Sequence, residues 1–213
     1  MNEITFIVVD IETDGPNPGR HSMLNLAAVA CHHDGQIKAE FTRNLEMLPE
    51  GVPDPGTLAW WKTFPEVYAQ LRTDLEPPET AINAFVEFVD GFEGDRVIVA
   101  HPLSFDGAWI DYYLRRFAEL RLFTGPFGGR SLFFGAGIDL PSYAMGILGE
   151  DYRRCRREFY PKELLGPTEH THHGLDDARG HAEFFGALHL RRLALSNEAL
   201  NGGQAQHSGS LAN

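Results

Sequence analysis

Two acids set two positions apart, Asp10 and Glu12, close an apolar run in Val8-Val9-Asp10-Ile11-Glu12-Thr13-Asp14-Gly15. Ile4 to Val9 is rich enough in β-branched residues to fill a buried strand, and Gly15, Pro16, Pro18 and Gly19 end it. Side chains alternate along a strand, so both carboxylates project from one side, about 7 Å apart. Holding two like charges at the margin of a core costs free energy through repulsion and desolvation, and a cation between them relieves that cost. Oxygen-only donors suit magnesium or manganese. The string Asp10-x-Glu12-x-Asp14-Gly15 also matches the opening of a calcium loop, but a strand precedes it instead of a helix, and His21 stands at the twelfth position.

Two further acids fall where such a site needs them. Asp106 follows Phe105 in His101-Pro102-Leu103-Ser104-Phe105-Asp106, opening a helix after a short strand at Arg96 to Ala100. Asp177 lies in the first turn of the last helix, within His172-His173-Gly174-Leu175-Asp176-Asp177-Ala178. An acid in a first helical turn gains about 0.3–1 kcal/mol from the helix dipole, so either alone has an ordinary explanation. Three histidines, His170, His172 and His173, crowd the approach to Asp177. Zinc is another reading of that trio, but no fourth ligand falls at a useful spacing.

The elements that must position these groups follow from periodicity and turns. Leu24 to Cys31 and Gln36 to Leu45 read as strands joined by a hairpin at Asp34-Gly35, giving an antiparallel meander with the first strand. Short helical patches are predicted at Thr57 to Trp61 and Glu66 to Arg72. A longer helix capped by Thr80 carries Ile82, Phe85, Val86, Val89 and Phe92 on one face. A helix from Phe105 to Leu120 follows the Arg96 strand. A glycine-rich connection from Gly125 to Gly137 then leads to a strand near Ile138-Asp139 and a helix from Pro141 to Leu148. Between Gly149 and Gly174 no pattern emerges. The last helix runs from Leu175 to Leu193, and 196–213 reads as a disordered tail. The sum is an α/β fold, a mixed five-stranded sheet flanked by helices, in one domain over 1–195.

Composition narrows the setting. The 213 residues carry a net charge of −12 with 43% hydrophobic residues, an ordinary globular balance. No apolar run approaches the roughly 20 residues of a membrane span, so no membrane partner is expected. Two cysteines, Cys31 and Cys155, are too few for a disulfide framework, and no signal peptide is evident, which makes the cytoplasm the expected compartment. Basic residues nevertheless cluster with aromatics: Arg153, Arg154, Arg156, Arg157 and Lys162 stand among Tyr152, Phe159 and Tyr160, and Arg115, Arg116 and Arg121 form a second group. Such a mixture suits a single strand of nucleic acid, or a solvated helix face.

The three acidic motifs together resemble the DEDDh 3′→5′ exonucleases, the RNase T and polymerase-proofreading group of the ribonuclease H-like fold, over about Ile4 to Leu193. The resemblance implies that Asp10, Glu12, Asp106 and Asp177 hold two magnesium ions, with manganese as an alternative, and that His172, five residues before Asp177, is the general base. It implies hydrolysis of single-stranded RNA or DNA 3′ ends, or of 3′ overhangs, to 5′-mononucleotides. The terminal nucleotide would be held by Thr13, Asp14 and Gly15, with Phe105 as a further contact, and Trp60 or Trp61 either stacks on a base or packs in the core. Thr57-Leu58-Ala59-Trp60-Trp61 resembles a Trp-Trp motif in a branch that includes mycobacterial-type exoribonucleases, which tilts the expectation toward RNA. Two departures stand out: Pro102 replaces a common Asn, and Asp14 a common Thr. An oligoribonuclease-like enzyme for very short RNA and an inactive nucleic-acid-binding module are the alternatives, and analogy with RNase T-like relatives suggests a homodimer.

Overall fold

The computed structural model describes residues 3–125 and 128–208. Its central strand is β1 (Ile4–Thr13), which pairs antiparallel with β2 (Met23–Cys31), itself antiparallel to β3 (Ile37–Leu45). Two short helices, α1 (Pro55–Trp61) and α2 (Pro65–Gln70), and a two-residue strand β4 (Leu75–Glu76) lead into α3 (Pro78–Asp90). Then come β5 (Asp95–Ala100), α4 (Leu103–Phe117), β6 (Ile138–Asp139), α5 (Leu140–Leu148) and α6 (Gly174–Ser208). The sheet order is β4-β3-β2-β1-β5-β6, with β5 parallel to β1. The sheet thus has six strands where five are expected from sequence, because β4 is too short to show a period-2 pattern.

Helices cover both faces, which explains why the central strands are apolar on both sides. Ile7, Val9 and Ile11 pack with α3 and α4, and Phe6 and Val8 pack with α5 and α6. Asp10 and Glu12 continue the second of these rows. Two local expectations change. Helix α3 starts at Pro78 with no side-chain cap, so Thr80 lies inside it; the prolines at its first turn set φ for the helix without a capping group. Helix α6 continues through 196–208, where Glu198, Ala199, Leu200 and Gln204 are good helix formers. Residues 209–213 of the expected tail lie outside the described residues. No helix among those described is long and apolar enough to cross a membrane.

The Asp34-Gly35 hairpin does more than turn the chain. Gly35 has φ +84°, and a Cβ there would press on the Ala182 carbonyl of α6, while a Cβ on Gly186 would overlap the Asp34 carbonyl. The turn therefore lies directly on the α6 backbone.

At the far end of β1 the register with β2 shifts between Glu12 and Thr13. There the Met23 N–H donates to the buried Tyr113 hydroxyl at 2.8 Å. Tyr113→Phe leaves that N–H unpaired and is expected to destabilise the fold by about 1–3 kcal/mol, read as a lower urea midpoint at unchanged slope.

Candidate active site

Four carboxylates converge where β1 outruns its neighbour. Strand β5 stops at Ala100, and its last pairing with β1 is Val8 to Val99. The Ile11 N–H therefore lies past the ladder, and Asp106 Oδ1, in the first turn of α4, accepts it at 3.2 Å. The start of α6 comes in from the other side. Gly174 sits so close to β2 that a Cβ would overlap Asn25 Oδ1, and Asn25 is the register partner of Glu12. This fit sets Asp177 beside the strand end, where Thr171 N–H and His172 N–H donate to its two oxygens at 2.9 and 3.2 Å. Asp10, Glu12 and Asp177 then offer ligand oxygens within 4.8 Å of one another.

The electrostatics show what this arrangement costs. Burial, then the charges of Glu12, Asp106 and Asp177, push the Asp10 carboxyl well above the usual range. Glu12 is raised by burial and by Asp177 and Asp106. Burial lifts Asp106 to about 7 against the hydrogen bonds it accepts. Asp177 differs: burial raises it, but the His170 contact and the Thr171 N–H outweigh this and leave it below the usual range. Packed acids that resist ionisation, all with oxygen donors, fit hard divalent cations such as magnesium or manganese.

His172 lies at the rim with φ +61°, a left-handed conformation that sharply redirects the chain before α6. Its ring stands edge-on to Trp60 and Phe64, with centroids 4.9 and 4.6 Å away. Burial, then His170, hold its pKa below the ordinary imidazole value against the pull of Asp177. A neutral ring can accept a proton. Next to it, His170 Nδ1 lies 2.8 Å from Asp177 Oδ2, so His170, His172 and Asp177 form a second close group. His173, the third of the trio, turns instead toward a pocket with Thr42, Arg43 and Glu76.

The substrate-contact candidates separate in space. Trp60 is 41% exposed beside His172, whereas Trp61 is 1% exposed, packs with Leu24 and Leu71, and donates its indole N–H to Thr13 O at 2.9 Å. Trp61 therefore braces the end of β1 from within and presents no face for stacking. Asp14 is likewise buried, accepting the Ser22 N–H, so it ties the β1–β2 connection together instead of adding charge among the four acids. Thr13 Oγ1 donates to Gly15 O, and a Cβ on Gly15 would overlap the His21 ring. Phe105, next to Asp106, is exposed. The Arg115, Arg116 and Arg121 cluster is consumed by its own acids, two arginines on Asp111 and Arg116 on Glu50.

One group went unread in the sequence. His181 is buried with Nδ1 3.8 Å from Asp10 Oδ1, stacked at 5.2 Å on His101, whose Nε2 meets the Tyr160 hydroxyl at 3.1 Å. Burial drives His181 down to about 3, so it is neutral, and 3.8 Å exceeds hydrogen-bond reach. The signal was present: His181 lies four residues after Asp177, on the same helical face.

Residues 5–188 match the family described as the Rv2179c-like 3′-5′ exoribonuclease domain. The chain is similar to the 3′-5′ DNA exonuclease Cap18 of Escherichia coli, 29% identical over 185 residues that cover 84% of this chain and 89% of that one. It is also similar to the PolC-type DNA polymerase III of Thermotoga maritima, 26% identical over 87% of this chain but only 12% of the polymerase. Among solved structures, Escherichia coli exonuclease I in complex with a dT13 oligonucleotide aligns with TM-score 0.66 and 14% identity over 92% of this chain and 43% of that one. The nuclease domain of 3′hExo, a DEDDh family member bound to rAMP, aligns with TM-score 0.62 and 10% identity over 91% and 92%. These structural likenesses establish the fold, a ribonuclease H-like sheet, while the family match runs through all four carboxylates. The chain belongs to the Rv2179c-like 3′-5′ exoribonuclease domain family and is a 3′→5′ exonuclease.

Proposed function

We propose that the chain, through a domain spanning 1–195, hydrolyses single-stranded nucleic acid from its 3′ end to 5′-mononucleotides with two divalent metal ions, RNA ahead of DNA. The observation that carries this reading is the set of Asp10, Glu12 and Asp177 oxygens within 4.8 Å, in the field of Asp106 and beside His172. Asp10, Glu12, Asp106 and Asp177 would hold the ions, magnesium first and manganese as the alternative. When bound, such ions polarise the phosphate and stabilise the charge that develops on the attacking and leaving oxygens.

The protein's own groups do the rest. His172, neutral at neutral pH, takes the proton from the attacking water. Trp60 and Phe64 hold its ring from two sides, so it presents one edge to the carboxylates. The backbone from Glu12 to Gly15, stiffened by Trp61 and by the Asp14–Ser22 tie, holds the terminal sugar, and the exposed face of Trp60 stacks on the terminal base. The family description supports RNA; a second reading, DNA, is supported by the relative named a DNA exonuclease. The homodimer belongs to the same reading, and sedimentation at micromolar concentration tests it.

The acids themselves generate one prediction. The folded-state pKa of Asp10 lies above its unfolded value, so the stability linked to this carboxyl is complete below the unfolded pKa and is lost as pH rises through the folded one. Without divalent ions at pH 8, Asp10→Asn is expected to melt at or above wild type, by about 2–4 °C for each kcal/mol of repulsion relieved. The gap closes toward about pH 4, where the wild-type carboxyl is protonated as well. A variant that melts well below wild type at pH 8 in calorimetry would make Asp10 a structural acid.

Activity is read on matched 5′-labelled single-stranded RNA and DNA with magnesium, manganese or EDTA. A ladder shortening from the 3′ end is expected with either metal and not with EDTA, and His172→Ala should slow it by about 10²–10⁴-fold. The faster polymer decides between the two sugars. No shortening of either polymer would overturn the reading.

A further inference from the structure

Between α5 and α6 the chain passes through two short 3₁₀ turns, Tyr152–Arg154 and Arg157–Phe159, and the second, with Arg156 before it, walls a cavity of about 510 Å³. One side is Asp10, His101, His170 and His181; the other is Arg156, Arg157 and Glu158. The cavity therefore opens on the catalytic carboxylates from the Asp10 side. Thr13, Gly15, Trp60 and His172, the residues that serve the terminal nucleotide, are not among its walls.

The arginines of this segment divide sharply. Arg153 is held by Asp151 at 2.7 Å and Arg154 by Glu150 at 3.2 Å, the latter also over the Phe159 ring. Arg156 and Arg157 have no carboxylate partner among the described residues, and Arg157 donates only to the Thr168 carbonyl at 3.2 Å. These two are the pair that lines the cavity. Glu158 offsets one of their charges and leaves one over.

A second, independent observation lies at the back wall. His181 is 7% exposed, and its Nδ1 has no hydrogen-bond partner. Buried polar atoms without partners are uncommon and costly, so an orphan ring nitrogen in a cavity shared with two guanidinium groups that lack carboxylate partners calls for an oxygen ligand.

We propose that this cavity binds the phosphate immediately 5′ to the scissile one, through Arg156, Arg157 and the His181 ring nitrogen. The inference rests on the exonuclease reading and adds where the retained strand lies. A 3′-terminal nucleotide has no phosphate beyond it, so an anion site on the flank of the carboxylates away from the terminal-nucleotide residues receives the strand that stays. Guanidinium forks match phosphate oxygens, and charge-assisted hydrogen bonds to them are the strong kind.

The test uses 5′-hydroxyl oligonucleotides of the faster sugar: a dinucleotide, which has only the scissile phosphate; a trinucleotide, which adds the upstream one; and a trinucleotide whose upstream linkage is an uncharged methylphosphonate. In wild type, kcat/KM should rise about tenfold or more from dinucleotide to trinucleotide, with the uncharged trinucleotide falling back to the dinucleotide value. In Arg156→Gln/Arg157→Gln, at one exposed and one half-buried position outside the apolar core, the three values should lie within about threefold of one another. A variant that keeps both the length advantage and the methylphosphonate penalty overturns the proposal, and so does a wild type indifferent to the upstream charge. A variant that instead loses only inhibition by 5′-mononucleotide or inorganic phosphate assigns the cavity to the released product and overturns the upstream placement. If wild type hydrolyses none of the three, nor longer RNA or DNA, the exonuclease reading itself has failed.

Discussion

The burial of carboxylates beside one another, with the repulsion it adds between them, is the constraint around which this molecule is arranged. Asp10, Glu12 and Asp106 resist ionisation in the folded state, and each is held by a different feature of the backbone: a strand that outruns its neighbour, a register shift beside it, and a helix start that takes an orphan N–H. None of these features answers a need of the core alone. Asp106 illustrates the double duty. Its Oδ1 accepts the Ile11 N–H, so the same carboxyl that finishes the sheet also stands in the field of Asp10 and Glu12.

An overall charge of −12 taken alone repels a polyanion, yet the charge is spread unevenly. Most arginines near the site face acids of their own, Asp111, Glu50, Asp151 and Glu150 among them. Of the arginines without such a partner among the described residues, Arg156 and Arg157 share a cavity with Asp10. Attraction is thus local and short in range, where screening by salt matters less than it does for a broad basic surface.

Much of this architecture could be read from the residue pattern, and the reasons for success and failure are physical. Asp10 and Glu12 were legible because strand alternation fixes their common face, and Asp106 and Asp177 because breakers and helical spacing mark the helix starts that carry them. The division of labour between Trp60 and Trp61 was not, since adjacent residues on a two-turn helix differ only in which side the tertiary fold covers. His181 was hidden by its surroundings: on an apolar helical stripe it looks like one more buried position, and its neighbour His101 arrives from a strand 80 residues earlier in the chain. The segment from 149 to 173 has no period at all, because it is built from isolated turns whose placement comes from what they pack against.

The seating of the β2–β3 turn on α6 reaches further than packing. Surface hairpin tips ordinarily accept extra residues, and they are the usual choice for tags and inserted domains. Here the Gly35 backbone rests on Ala182 and Gly186, about one and a half and two and a half turns beyond the Asp177 at the start of α6. An insertion at this tip would push on a rigid rod whose first turn carries Asp177. In evolutionary terms, the loop on the outside of the sheet is bound in length by the chemistry on the inside, and variation in this family should accumulate elsewhere on the surface first.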